Sequence, residues 1–307
     1  MKNEIEVFAP ATVSNVSCGF DILGFAMEDM GDTISVKKSD HKGIRITKII
    51  GADLPLSNDK NVAGIAGTAM LKHLNYEGGF EVVIEKGIAA GSGLGSSASS
   101  SAGMVVALNE LLGKPCTQQE LVEFAMEGEV LASGKKHADN VAPCICGGFV
   151  VIRGYEPVDV TNLEYPKEMH CTVLHPAIEI KTIESRKLLP KNVSLEDAVT
   201  QWGNVAGLIT GLYKHDFDLI SRSMKDIIVE PNRSGLITGF DEVKAAAIAA
   251  GAVGCSISGS GPTIFALSKN KVESEQVAQA MKSAYEKVGI PFTINTSRVN
   301  PNGVSEI

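Results

Sequence analysis

Apolar positions along the chain recur with two different periods. Short β-branched or alternating runs at 5–8, 33–36, 44–49, 80–85, 149–153 and 172–175 read as strands. Between them, the 3.6-residue spacing of amphipathic helices covers 62–74, 97–112 and 118–131. From about Val158 the order changes. A strand is followed by helices at 194–214, 216–228 and 241–250, strands at 253–258 and 263–267, a helix at 272–289 and an extended tail. The pattern predicts a mixed α+β chain in two units, residues 1–157 and 158–307, divided in a turn-rich stretch around Pro157. A length of 307 residues agrees with two domains.

One stretch departs from both periods. KGIAAGSGLGSSASSSAG, residues 86–103, is rich in glycine and serine yet is anchored on both sides. Upstream is the 80–85 strand; downstream, Ala102, Val105, Leu108 and Leu112 open a helix that Gly113 and Pro115 stop. A flexible linker needs no such anchors, whereas a strand-to-helix turn with free backbone N–H groups suits a phosphate. The spelling excludes two common solutions. Gly95 is followed by serine rather than by Lys-Ser/Thr, so there is no P-loop. The third glycine of Gly91-x-Gly93-x-Gly95 comes one residue too early for the dinucleotide fingerprint. The loop instead ends in two serines, Ser96 and Ser97, at the first helical turn, where a hydroxyl can cap the helix or reach a phosphate-bound Mg²⁺.

Composition narrows the class. The chain is 44% hydrophobic and 21% charged, which is ordinary for a globular protein. Its net charge of -8, with no basic run, argues against nucleic acid or an anionic membrane as partner. A negative chain binds phosphate only locally, through amides, a divalent cation and a few placed cations. The acidic start lacks a signal-peptide core, and the apolar run 245–253 is too short and too broken by glycine to span a membrane, so a cytoplasmic protein is expected. Six cysteines with no Cys-x-x-Cys pair read as reduced, partly buried thiols rather than a disulfide framework or a zinc site.

The glycine-serine loop resembles the central motif of the GHMP small-molecule kinases. Two other stretches resemble that family's motifs in the expected order: APATVSNVSCGFDILG at 9–24 and SISGSGPTIF at 256–265. Glu129, the block HADNVAP at 137–143 and Gly147-Gly148 are most similar to the homoserine kinase branch. The resemblance spans nearly the whole chain. It implies a two-domain α+β architecture, with an N-terminal domain like ribosomal protein S5 domain 2, a ferredoxin-like C-terminal domain and the active site between them. The implied reaction uses ATP and Mg²⁺ to convert L-homoserine to O-phospho-L-homoserine for threonine biosynthesis, in an enzyme that forms homodimers.

Carried over residue by residue, the resemblance implies a nucleotide cradle of Lys86, Gly91, Ser92, Gly93, Leu94, Gly95, Ser96 and Ser97. It makes Ser97 and Glu129 the Mg²⁺ ligands, and Arg186 and Arg233 the clamp on the acceptor's carboxylate. Asn15 and Asp21 surround the amine and hydroxyl, and His137, Asp139 and Asn140 complete the wall. Asp21, Asp139 and Asn140 are the candidates nearest the chemistry. Several related kinases carry an aspartate as base where this chain has Asn140, and an amide cannot accept a proton. Two acceptors stay open: the γ-phosphate itself, with Asn140 and Asp21 only orienting the hydroxyl, or the adjacent Asp139. By residue type alone, Ser97 also reads as a helix cap and Glu129 as a solvated charge, while the arginines read first as surface and His137 as a structural histidine. Two alternatives stay open: another GHMP kinase acting on mevalonate, shikimate or a cytidyl intermediate, and a sensor that binds without transferring. The arginine pair with Asp21 favours an amino-acid zwitterion, and the retained Ser97 and Glu129 favour a catalyst.

Overall fold

Three strands open the first half of the chain and three helices close it, in a computed structural model that describes residues 2–307. This half holds β1 (Glu4–Ser14), β2 (Leu23–Ser39), β3 (Gly43–Ile50), α1 (Val62–His73), β4 (Gly79–Glu85), α2 (Ser96–Leu111), α3 (Gln118–Ser133) and α4 (Val141–Cys146). Then come β5 (Phe149–Tyr155), β6 (Val158–Leu163), β7 (His170–Pro176), α5 (Thr182–Lys187), α6 (Leu195–Lys214), α7 (Phe217–Ser223) and α8 (Glu230–Arg233). The chain closes with α9 (Phe240–Ala249), β8 (Gly254–Ile257), β9 (Ile264–Ser268), α10 (Lys271–Tyr285), β10 (Phe292–Arg298) and β11 (Ser305–Glu306).

Among the described residues there are two sheets. The first runs β11-β1-β2-β4-β3, with β5 on the near end of β2 and β6 beside β5; only β3 and β4 pair in parallel. One face of this sheet, with Val7, Ile34, Val36, Val82 and Ile84, is covered by α1, α2 and α3 through Met70, Met104, Val105, Leu108 and Val122. The second sheet, β10-β7-β9-β8, is antiparallel throughout and carries α9 and α10 on a core of Val243, Val277, Met281 and Ile264. A third cluster joins the sheets: Val13, Phe25, Met27 and Phe149 from the first meet Val173, Phe265 and Leu267 from the second, with Leu208 and Leu212 of α6. Phe25 lies between Phe149 and Phe265, with ring centroids 4.7 and 6.1 Å away. This is the two-domain α+β architecture anticipated from the motifs.

Three elements differ from the sequence reading. Val158–Leu163 forms a hairpin with β5, so a division at 157/158 falls inside the first sheet, and the chain crosses to the second sheet over 164–169. The helix expected at 216–228 stops at Ser223, because the Asp226 carboxylate takes the backbone N–H groups of Ile228, Val229 and Glu230 and holds them in a turn. The tail is not free: Val304 donates to the Cys144 carbonyl and β11 pairs with β1, which straps the C-terminus across the first sheet.

Candidate active site

The strand-to-helix loop lies where the two sheets meet, against a cavity of about 470 Å³. Gly95 caps α2 in the left-handed region at φ 69°, and Ser96 and Ser97 are the first two helical residues, so Ser97 is not the cap. A Cβ on Gly95 would overlap the Thr12 hydroxyl, and one on Gly93 (φ 81°) would sit 2.6 Å from the Ser258 carbonyl. Glycine is therefore required at both positions. The 256–265 segment holds the loop from its other side. Ser258 Oγ donates to the Gly93 carbonyl and Thr263 Oγ1 to the Ser92 carbonyl, both at 2.6 Å. Gly91, Ser92, Gly93, Gly95, Ser96 and Ser97 all line the cavity. Leu94 does not: its side chain is buried in the inter-sheet core and its amide donates to Ser92 Oγ.

Lys86 lines the cavity but is engaged by the protein. Its ammonium pairs with the fully buried Asp32 and donates to the Ser96 carbonyl and Ser100 Oγ, each at 2.8 Å. Burial pushes its pKa down, against the pull of Asp32. The other Asp32 oxygen accepts from the amides of Gly87 and Ile88. Lys86 and Asp32 thus anchor both ends of the loop, rather than leaving a lysine free at its mouth.

Glu129, on α3, is the clearest metal candidate. Its Oε1 is buried with no hydrogen-bond partner among the described residues. Burial pushes its carboxyl up to about 7, with the neighbouring Ser97 hydroxyl pulling the other way. It is not the solvated charge that its sequence neighbours suggested. A carboxylate with one free oxygen among the described residues, beside a hydroxyl at a helix N-terminus facing a cavity, fits a hard divalent cation that takes its other ligands from phosphate and water.

The remaining candidates line the same cavity. The turn between β1 and β2 places Asn15, Val16 and Ser17 successively at φ 70°, 42° and 64°, and Asp21 at 60°, a left-handed run that non-glycine residues seldom adopt. The Asn15 side chain holds that turn, accepting from the Asp21 amide at 3.0 Å and donating to the Gly259 carbonyl at 2.8 Å. Asp21 and Arg186 face each other in a two-point ion pair at 2.8 and 3.1 Å. Arg233 is 2% exposed, donates to the Gly259 carbonyl and leaves its Nε without a partner among the described residues. Burial and the nearby Arg186 push its guanidinium down to about 10. His137 lies 3.8 Å from Asp21 and is pushed down by burial, against the pull of Asp21. Asp139 is buried and pushed up to about 7, first by burial and then by Asp21. Asn140 is held at both ends, accepting from Thr12 Oγ1 at 2.8 Å and donating to Ser14 Oγ at 3.0 Å.

All the wall residues thus line one cavity with the loop and Glu129. Sequence reading missed Asp32, Phe20 and Tyr155. Phe20 has the guanidinium carbons of Arg186 and Arg233 each 5.2 Å from its ring centroid, and its place beside Asp21 was the available signal. Tyr155 donates to the Asp21 carbonyl at 2.6 Å from a distant strand, which nothing in the linear order announces.

The chain is similar to known proteins over most of its length. Residues 61–148 match the family model for the GHMP kinases N-terminal domain and residues 208–287 that for the GHMP kinases C-terminal domain. The chain is 45% identical over 290 residues to a homoserine kinase of Chlorobaculum tepidum, covering 91% of this chain and 90% of that one. It is 38% identical to a homoserine kinase of Xylella fastidiosa, covering 94% and 89%. The crystal structure of a homoserine kinase from Cytophaga hutchinsonii is 51% identical, with a TM-score of 0.96 over 100% of this chain and 98% of that one. The structure of L. major mevalonate kinase, 14% identical, shares the fold at a TM-score of 0.73 over 97% and 98%. Among the described residues no helix is long and apolar enough to cross a membrane.

Proposed function

The chain belongs to the GHMP kinases, and on that premise we propose that it transfers the γ-phosphoryl group of ATP to the hydroxyl of L-homoserine. The product, O-phospho-L-homoserine, is the precursor used in threonine biosynthesis. Phosphoryl transfer needs little covalent help, so the site has to position two substrates and balance charge. The loop amides and the α2 N-terminus receive the triphosphate. Mg²⁺ would be held by Glu129 and Ser97, and supplies neutralisation of the phosphate charge.

The observation that carries the acceptor is the Asp21–Arg186 ion pair on the cavity wall, with Arg233 buried alongside. A zwitterion inserts into that ion pair: its carboxylate takes the guanidinium donors, and its ammonium takes the carboxylate that Arg186 gives up. Mevalonate has no ammonium and cannot make the exchange. The hydroxyl's proton passes to the transferred phosphoryl group, because Asn140 cannot accept it and both Asp21 oxygens are taken by arginine or ammonium. A second reading has one observation in its favour. Asp139, with its carboxyl near 7, has the ionisation a base needs at neutral pH. Asp139→Asn separates them: a kcat loss of roughly 10²-fold or more favours Asp139 as base, and a loss below about tenfold favours the phosphate.

The protein works in the cytoplasm, a reading supported by the ATP requirement and by six free cysteines. Two copies associate through α6. From Ala198 to Tyr213 that helix has no charged residue, and Leu195, Val199, Trp202 and Tyr213 lie exposed along one side of it. Its first turn carries Glu196 and Asp197 and its end Lys214 and His215, so antiparallel pairing about a two-fold axis sets opposite charges together at both ends. Sedimentation velocity checks this: a dimer that Trp202→Glu converts to monomer is expected, and a monomeric wild type contradicts it.

A further inference from the structure

On the face of α6 turned away from solvent, Gln201 makes contacts that the reaction outlined above does not use. It is buried, and both of its polar atoms have partners. Its Nε2 donates to the Cys18 carbonyl and to Asp226 Oδ1, both at 2.9 Å, and its Oε1 accepts from the Ile227 amide at 3.1 Å. The two partners lead to opposite sides of the acceptor pocket. Cys18 sits in the left-handed turn that carries Asn15, Phe20 and Asp21. Asp226, also buried, accepts from Ile228 and Val229 through Oδ1 and from Glu230 through Oδ2, which fixes the start of α8 and hence Arg233 at its end.

We propose that Gln201 is a positioning residue that bridges the Asp21-bearing turn and the Arg233-bearing helix, setting the gap into which the acceptor's charged groups fit. It touches neither substrate. No other hydrogen bond in the structure joins the Cys18 carbonyl to the Asp226 turn, among the described residues. The turn is strained at four non-glycine residues and relaxes if released. Asn15 and Arg233 also meet at the Gly259 carbonyl, while the nucleotide loop has anchors of its own in Asp32, Ser258 and Thr263, so loss of the bridge is read first in acceptor binding. This inference rests on the reading of that pocket as the homoserine site.

The test is Gln201→Met, which keeps the length and removes every hydrogen bond. KM for L-homoserine should rise by roughly 10- to 100-fold, the scale for loosening the support of a bound group, while KM for ATP stays within about twofold. Asp226→Asn, which retains the shape and weakens the same network, should move KM in the same direction by a smaller factor and serves if the methionine variant does not fold. Leu212→Ala, a core truncation further along α6, controls for loss of stability: it should lower Tm and the active fraction without moving KM for homoserine. An unchanged homoserine KM in Gln201→Met, or equal rises in both KM values, overturns the bridge. A wild type that prefers another acceptor overturns the substrate reading instead, and KM for that acceptor then reports on the bridge.

Discussion

Removing the carboxylate from the acceptor, with and without Arg233, tests how the pocket reads a zwitterion. The ligand 3-aminopropan-1-ol is homoserine without its carboxylate. Truncating one side of a buried charge pair costs about 2–5 kcal/mol. The structure selects the lower part of that range. Arg186 keeps a share of its counter-charge when no carboxylate arrives, because Asp21, which holds it through bonds of 2.8 and 3.1 Å, has two oxygens and serves the guanidinium with one while the ammonium takes the other. Arg233, 2% exposed and with its Nε unpartnered among the described residues, is then left without a counter-charge. A cost of about 2–3 kcal/mol corresponds to a preference for homoserine of roughly 30- to 150-fold in kcat/KM. Arg233→Leu should bring the preference below about tenfold, since it leaves no buried cation for the carboxylate to satisfy. Both proteins are assayed by ADP release at saturating ATP, with KM for ATP as the control. If the folded variant discriminates as strongly as wild type, Arg233 is structural and the carboxylate is read elsewhere.

Glu129→Gln should lower kcat by roughly 10²-fold or more and at the same time raise the Tm of the metal-free protein at about pH 8. The folded carboxyl titrates near 7, above its ordinary 4.5, so its ionisation costs stability as pH rises through that window; the Tm gain of the variant should close as pH falls towards about 4.5. Equal Tm values at high pH would remove the buried-charge argument. Gly93→Ala forces a left-handed alanine against the Ser258 carbonyl, so both a lower Tm and a higher KM for ATP are expected, and unchanged nucleotide affinity would show the loop to be dispensable. Asn140→Asp should slow turnover, because it removes the donor to Ser14 and adds a charge near the phosphate; a faster enzyme would mean that a base had been missing.

Much of the fold was legible because its elements follow local rules. The 3.6-residue period placed α2 and α3 within two residues of their observed ends, and the Thr117/Glu120 capping box fixes the start of α3. Elements governed by distant partners were not legible. The end of α7 depends on one carboxylate, Asp226, competing for amides, and β6 pairs backwards into a sheet that the change of pattern at 158 seemed to leave. Within the site, residue types were readable from the motifs, but their state was not. Lys86 could be seen at the loop's start, whereas the Asp32 that occupies it lies 54 residues away. Arg186 could be matched to a carboxylate clamp, but that Asp21 already pairs with it follows only from α5 folding back onto the β1–β2 turn.

The central claim is that one cavity brings ATP, a divalent cation and an amino-acid hydroxyl together for transfer, and ADP release measured across a panel of acceptors tests it most directly. L-homoserine with Mg²⁺ should support turnover, chelation of the metal should abolish it, and L-serine and mevalonate should be much poorer acceptors. Turnover that persists without a divalent cation, or that is equal or faster with mevalonate, would contradict the account.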